Sequence, residues 1–289
     1  MSGLRKGDPP PVQRCAGAAQ CGEQAIQLDL SKPSVARMYD HLLGGTDNYP
    51  ADREACADLL RIAPSTREVV RINRAFLTRA VRYLSAERGV RRFLDHGSGL
   101  PTRPNVHETA QRADPSARVL YIDRDPIVHA HGRLLLEEDL ATTAVIEADI
   151  RDTEGIFGTS EIERLLEGGE PVAALFVSVL DCLPDSDDPW QLVREVARHL
   201  PAGSYLVISQ LASDDPVLRE RVTAFMRETV GGAWGQVRSL QEVGRFFDGF
   251  EMLRHEAPVE VSEWYPDAEL SPRQSTREWI GYGGVARIP

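Results

Sequence analysis

The stretch RRFLDHGSG, residues 91–99, decides the fold: a short apolar run that closes on an acid and two glycines. Four more such runs follow, ARVLYID (117–123), TAVIEAD (143–149), VAALFVSVL (172–180) and GSYLVISQL (203–211). Helices are expected between them, near 105–113, 126–138, 160–168 and 189–200. Alternation of this kind is the pattern of βαβ units, in which parallel strands are joined by helical crossovers. VAALFVSVL is apolar throughout, as a central strand covered on both faces must be. In the last helical stretch Leu192, Val193, Val196, Ala197 and Leu200 recur at helical spacing and mark its buried face. A further helix is expected near 215–230, and LQEVGRFFDGF (240–250) also reads as helical. EMLRHEAPV (251–259) and EWIGYGGVARI (278–288) then supply two final strands. The expected architecture is an α/β fold with an open, mostly parallel, seven-stranded sheet.

Upstream of Arg91 the rhythm is helical. Ser34 caps VARMYDHLL (35–43), which Gly44 and Gly45 end, and a second helix covers about 51–62 before Pro64. The third runs from Ser65 to about Glu87, with Gly89 as its stop. Val69, Ile72, Phe76, Leu77, Ala80, Tyr83 and Leu84 share one face of it. Arg67, Arg71, Arg74 and Arg82 share the opposite face, which reads as basic and solvated. Residues 1–27 mix Gly, Pro, Gln and Ala without periodicity and read as a disordered leader. The expected division is a leader (1–27), an N-terminal helical cap (28–90) and an α/β domain (91–289), with 28–289 one structural unit.

Of the 289 residues 42% are hydrophobic, enough for a sizeable core. No run approaches the roughly 18 uninterrupted apolar residues of a membrane span. The opening MSGLRKGDPPPVQRC lacks the apolar region of a secretory signal. Four cysteines make neither a disulfide framework nor a CxxC pair. A reduced, cytoplasmic setting with no membrane partner is therefore expected. The net charge of −11 argues against nucleic acid as a partner, as does the lack of basic stripes with interleaved aromatics. Charge is uneven along the chain. Residues 31–92 carry twelve basic against seven acidic side chains, and residues 93–289 carry 18 against 34. The positive prelude is expected to be drawn onto the negative body.

Asp95, Gly97, Ser98 and Gly99 stand at the carboxyl end of the first strand, where open α/β sheets bind ligands. Glycines there let the chain turn sharply and bring backbone N–H groups close to a ligand. Asp123 closes the second strand 28 residues later, where an acid accepts hydrogen bonds from both hydroxyls of a ribose. Asp149 closes the third, where a carboxylate can accept from the exocyclic amine of an adenine. Each acid alone also suits a turn or a cap. Three acids ending three successive strands outline an adenosine pocket. Thr102 occupies the third glycine position of a dinucleotide fingerprint, and there is no GxxxxGK[ST], so nicotinamide and nucleoside-triphosphate readings are disfavoured. No metal site is expected: His107 and Glu108 have no His-x₃-His pair to join, and His129 and His131 do not share a helical face.

The DxGxG, acid, acid order resembles the class I S-adenosylmethionine-dependent methyltransferases, whose fold is Rossmann-like. The blocks ARMYDHLLGGTDNYPADREA (36–55), INRAFLTRAVRYL (72–84), FLDHGSGLPTRPNVHETAQ (93–111), YIDRDPIV (121–128) and LPDSDDP (183–189) narrow the resemblance. They are similar to a bacterial, largely actinobacterial family of methyltransferase-like proteins whose substrate is generally unassigned. The resemblance implies S-adenosylmethionine as cofactor. It implies that Gly97, Ser98 and Gly99 pass beneath the methionine part, with Asp95 fixing the turn. Asp123 then takes the ribose hydroxyls, with Arg124 beside the adenine. Asp149 and the backbone of Ile150 read the adenine edge, Ser178 lies near the sulfonium, and Arg74 meets the cofactor carboxylate.

Members of this family often carry a histidine near the end of the fourth strand. Here that segment reads Val179-Leu180-Asp181-Cys182-Leu183. Asp181 stands as a candidate base, and capping of the next turn is the rival role. Cys182 without a histidine partner reads as a small core residue. Tyr39, Asp40, Asn48 and Tyr49, around the Gly-Gly turn, are expected to lid the pocket and touch the acceptor, with Tyr39 a second catalytic candidate. The acceptor expected is a small molecule, a protein acceptor staying open. The rival function is a cofactor-binding sensor or partner-binding protein without methyl transfer.

Overall fold

The computed structural model describes residues 29–135, 142–266 and 278–289. The expected leader, 1–27, with Cys15 and Cys21, lies outside the described residues. Five parallel strands form the body of the sheet: β1 (Arg92–His96), β2 (Arg118–Asp123), β3 (Thr143–Glu147), β4 (Ala173–Val177) and β5 (Tyr205–Ala212). β6 (Glu251–Met252) and β7 (Val259–Glu260) are short, and β8 (Ile280–Arg287) runs antiparallel to β5. The spatial order is β3-β2-β1-β4-β5-β8-β6, with β7 also paired to β8. Strand order reverses between β1 and β4, which opens a crevice at their carboxyl ends.

The sheet has eight strands instead of the seven expected. The sequence EMLRHEAPV reads as one strand, but the backbone turns left-handed at Arg254 (φ 74°), and the chain leaves the edge of β8 after pairing Met252 with Ala286. It rejoins at Val259, opposite Gly283. Two two-residue strands thus share the edge that one was to fill.

Ten α-helices are seen among the described residues. Three precede the sheet: α1 (Val35–Leu43), α2 (Pro50–Ile62) and α3 (Thr66–Arg88). Then come α4 (Val106–Gln111), α5 (Pro126–Leu135), α6 (Thr153–Phe157), α7 (Ser160–Leu166), α8 (Pro189–His199), α9 (Pro216–Thr229) and α10 (Leu240–Gly244). Of these the short α6 was not anticipated. Ser34 caps α1 as its sequence requires, accepting from the Arg37 N–H. Gly44 closes that helix in left-handed backbone at φ 92°.

Alternate residues of the parallel strands build two cores. Leu94, Ile122, Phe176 and Ile208 face one side, against Leu192, Val193 and Val196 of α8. Phe93, Tyr121, Leu175 and Val207 face the other, against Phe76, Ala80 and Leu84 of α3. All eight residues of β5 are buried. A third cluster joins α1 and α2 to α9 through Met38, Leu42, Leu59, Leu218 and Val222. The seven apolar residues assigned to one face of α3 are all buried.

The opposite face of α3 is less solvated than its arginines suggest. Only Arg71 of the four is exposed. Arg67 donates to the carbonyls of His41 and Leu42, and Arg74 donates to those of Thr102 and Pro104. Cap arginines therefore saturate backbone carbonyls more than they attract the acidic body. Arg79, on the apolar side, is wholly buried and donates to the carbonyls of Trp264 and Val261.

β8 reaches β5 only because Gly283 lacks a side chain: a Cβ there would stand 2.0 Å from the Ile208 carbonyl oxygen. Gly283→Ala should lower the unfolding free energy by about 1–3 kcal/mol, the usual range for overpacking. Gly244→Ala, with nothing within 4 Å of its Cβ, should be close to neutral. Urea unfolding of both variants checks this, and equal stability of the two would refute the close-approach argument.

Candidate active site

The turn after β1 is made by Gly97 (φ 66°) and Gly99 (φ 65°), both in left-handed backbone that glycine favours. The Gly97 and Ser98 N–H groups donate to the Ile122 carbonyl at 2.8 and 3.1 Å, tying the turn to the end of β2. Gly97 also packs tightly, since a Cβ there would lie 2.1 Å from Val179 Cγ2. At Gly99 the corresponding space is open, with nothing within 4 Å, so its backbone borders the cavity directly.

That cavity, of about 320 Å³, lies over the carboxyl ends of β1, β2 and β4, under α1. Its size suits a small ligand. Its lining brings together Arg74, Asp95, Gly97, Ser98, Gly99 and Asp123, and also Arg124, Asp149, Ile150 and Ser178. Tyr39 joins them from α1.

Asp123 ends β2 with both carboxylate oxygens turned to backbone donors. Oδ2 accepts from the Gly99 N–H and Oδ1 from the Asp125 N–H, each at 2.9 Å. Burial nevertheless raises its pKa above the ordinary carboxylate value. Asp149 lies two residues past β3, in more polar company. Its Oδ1 accepts from the Arg151 backbone N–H and Nε, and its Oδ2 accepts from Arg151 Nη2 and Arg124 Nη1. The Arg151 bonds dominate and hold the Asp149 carboxyl down at about 2. Arg151 was not among the expected residues, although it stands only two residues after Asp149.

Asp95 is buried beneath the turn, and burial pushes it up to about 7 against the pull of Arg74 and with some help from Asp123. Arg74 Nη2 donates to the Pro104 carbonyl at 2.7 Å, while its buried Nε has no hydrogen-bond partner. Arg74 also lines the cavity, and a guanidinium placed there fits an anionic ligand group.

Ser178 follows β4 in left-handed backbone, φ 57°. Its Oγ accepts from Asn73 Nδ2 at 2.6 Å, and the same amide nitrogen donates to the Tyr39 hydroxyl at 3.3 Å. Asn73 Oδ1 accepts from Ser209 Oγ at 2.5 Å. Burial raises the Tyr39 pKa, so its phenol stays neutral. Asn73 is wholly buried and was not singled out in the sequence. The signal was present, since it is a polar residue inside the apolar stripe of α3, between Ile72 and Phe76.

Three expected residues, Asn48, Tyr49 and Asp181, are not brought to the cavity: Asn48 is held within the cap by Asp40, Gly45 and Arg53, Tyr49 is exposed at the start of α2, and Asp181 is turned inward. Asp181 lies in a short 3₁₀ turn, Leu180–Cys182, that points its side chain inward. Oδ2 accepts from the Leu211 N–H at 3.3 Å and Oδ1 has no partner. Burial pushes this carboxyl up to about 7, opposed by Arg238. Cys182 does line the cavity, with its thiol driven up to about 12 by burial. His107 is occupied by the Tyr121 hydroxyl, and no group of three metal-binding side chains exists among the described residues.

A mostly parallel α/β sheet that reverses at β1/β4, with acids closing successive strands over one cavity, defines the class I methyltransferase fold. The model of a family described as S-adenosyl methyltransferase matches residues 21–289. The chain belongs to that family. A putative methyltransferase from Thermobifida fusca YX is 38% identical over 90% of this chain and 96% of its own, with a TM-score of 0.82. A DUF574 family protein from Streptomyces avermitilis MA-4680 is 36% identical over 90% and 99%, with a TM-score of 0.81. No curated protein matches. The protein is accordingly a methyltransferase by family.

The buried Asp181 makes stability depend on pH. Its folded pKa, about 7, exceeds the ordinary 3.8, so the folded state binds the proton more tightly. Wild-type stability measured relative to Asp181→Asn should therefore fall as pH rises from 4 to 7 and level off above. A difference that stays flat in thermal melts across that range would contradict the assignment.

Proposed function

We propose that the cavity binds S-adenosylmethionine and directs its methyl group to a small-molecule acceptor. The observation that carries this reading is the Asp123 carboxylate. Each oxygen receives one backbone N–H and keeps lone-pair capacity toward the cavity, since an ionised carboxylate offers about four acceptor sites. A pair of vicinal hydroxyls, as on a ribose, matches that capacity. The open backbone at Gly99 and the guanidinium of Arg74 on the cavity wall fit the remaining parts of the same molecule.

Asp123 takes the ribose hydroxyls. Arg124 and Ile150 flank the adenine, and Asp149, held in place by Arg151, accepts from its exocyclic amine. Gly97, Ser98 and Gly99 run beneath the methionine portion, and Arg74 pairs with its carboxylate. Asp95 shapes the turn that these contacts need. The cofactor, when bound, supplies a methyl group already activated on positive sulfur. The protein's part is then to orient an acceptor in line with it and to keep water out.

Exclusion of water falls to α1. Ser34 Oγ donates to Asp125 Oδ2 at 3.2 Å, and Ala36 packs against Leu100 and Ile127, holding the helix over the cavity. Tyr39 and Ser178, joined through Asn73, present hydroxyls from the cap and from the strand end. Tyr39 is a neutral phenol that donates to the Val70 carbonyl at 3.4 Å, so it serves as an orienting group and not as a base.

Isothermal titration should detect S-adenosylmethionine binding to the wild type, uncompeted by nicotinamide dinucleotide. Asp123→Ala should weaken it about 10- to 100-fold, the loss expected from removing hydrogen bonds to a charged acceptor. Unchanged affinity in this variant would refute the ribose assignment.

A further inference from the structure

The cap contributes a further carboxylate to the cavity, to which the cofactor reading gives no role. Asp40 follows Tyr39 on α1, lines the cavity, and is only 6% exposed. Its Oδ2 accepts from Asn48 Nδ2 at 2.8 Å. The Asn48 amide is itself fixed: Nδ2 also donates to the Gly45 carbonyl at 3.0 Å, and Oδ1 accepts from Arg53 Nη1 at 2.9 Å. Only its N–H side is thus available to Asp40. Gly45 makes room for the other oxygen, because a Cβ there would stand 1.9 Å from Asp40 Oδ1.

What Asp40 lacks is a cation: no Lys, Arg or His forms an ion pair with it among the described residues. The other acids of the cavity are better provided. Asp149 has Arg151 and Arg124, Asp123 has two backbone donors, and Asp95 has Arg74 nearby. Asp125 accepts from Ser34, and an apolar part of the wall is made by Leu77, Val177, Val179, Leu183 and Val230. A buried carboxylate is costly unless it meets a cation or is fully hydrogen-bonded. A carboxylate kept in place by a dedicated amide, beside apolar walls, matches a ligand with a cationic head on an apolar body.

We propose that the methyl acceptor is a hydrophobic amine, and that Asp40 is the carboxylate that receives its ammonium group. The proposal rests on the cofactor reading above. The bound ammonium gives one N–H proton to Asp40, which frees the nitrogen lone pair. That lone pair forms the new N–C bond to the methyl carbon while the C–S bond breaks, its electron pair staying on sulfur. The sulfonium charge becomes the charge of an N-methylammonium, and sulfur is left as a neutral thioether. Asp40 returns its proton to water as the product leaves.

The test uses the full chain and Asp40→Asn, which keeps an oxygen for the Asn48 N–H and removes only the charge. Phenethylamine, tryptamine and octylamine are titrated into protein saturated with S-adenosylhomocysteine, beside 2-phenylethanol and 3-phenylpropanoate. Thioether release from S-adenosylmethionine is followed with each compound. At least one amine should bind and be methylated, while the alcohol and the carboxylate do neither. Asp40→Asn should keep its cofactor affinity and lose about tenfold or more in amine affinity, as expected when a charged hydrogen bond is lost. Binding of the alcohol as tightly as the amines, amine binding unchanged in Asp40→Asn, or no binding by any of the three amines would each overturn the proposal. Failure of the wild type to bind S-adenosylmethionine would instead defeat the cofactor reading, so the two failures are distinguishable.

Discussion

One fully buried amide holds the cap to the sheet at the point where the cavity forms. Asn73 uses its oxygen for Ser209 on β5 and its nitrogen for both Ser178, past β4, and Tyr39 on α1. Four separate segments of chain meet in those bonds. A buried amide left with any of them unmade would carry a desolvation penalty, so the arrangement is held as a set. The left-handed backbone at Ser178 belongs to the same set. It ends β4 and turns the hydroxyl to where Asn73 can reach it.

Charge is organised locally rather than between halves of the molecule. The positive prelude and negative body suggested long-range attraction, but the cap arginines act at short range. Arg37 pairs with Asp52 inside the cap, where both side chains are buried. Arg53 orients Asn48, Arg67 closes the end of α1, and Arg74 spans to the loop after β1. Each bond satisfies a carbonyl or carboxylate that water no longer reaches. The excess of acid in the body remains mostly solvated surface, and only a few of its carboxylates enter the cavity.

Much of the candidate site was legible because parallel strands all present their carboxyl ends to one edge. Once RRFLDHG, ARVLYID and TAVIEAD are read as successive parallel strands, Asp95, Asp123 and Asp149 have to approach one another, whatever the helices between them do. Arg151 was missed since its role depends on a side chain folding back on Asp149. Asn73, Arg79 and Arg238 were missed because each is a polar residue in full burial, and its partners lie as far as 185 residues away. Pattern reading assigns such residues to the surface by default.

The sequence alone determined the element types, the parallel order of the first strands and the gathering of acids at their ends. Period and turn chemistry are local, and the handedness of βαβ crossovers leaves little choice in assembling them. Tertiary structure alone decided the direction of individual side chains. Asp181 and Cys182 are neighbours in sequence, yet a single 3₁₀ turn sends the acid into the interior toward β5 and leaves the thiol on the cavity wall. The same holds for Asp40, a helix residue among others until α1 lies across the sheet and places it, with Asn48 holding its carboxylate, at the cavity. Burial and pairing are properties of what surrounds a group, and that is settled only when distant segments close over it.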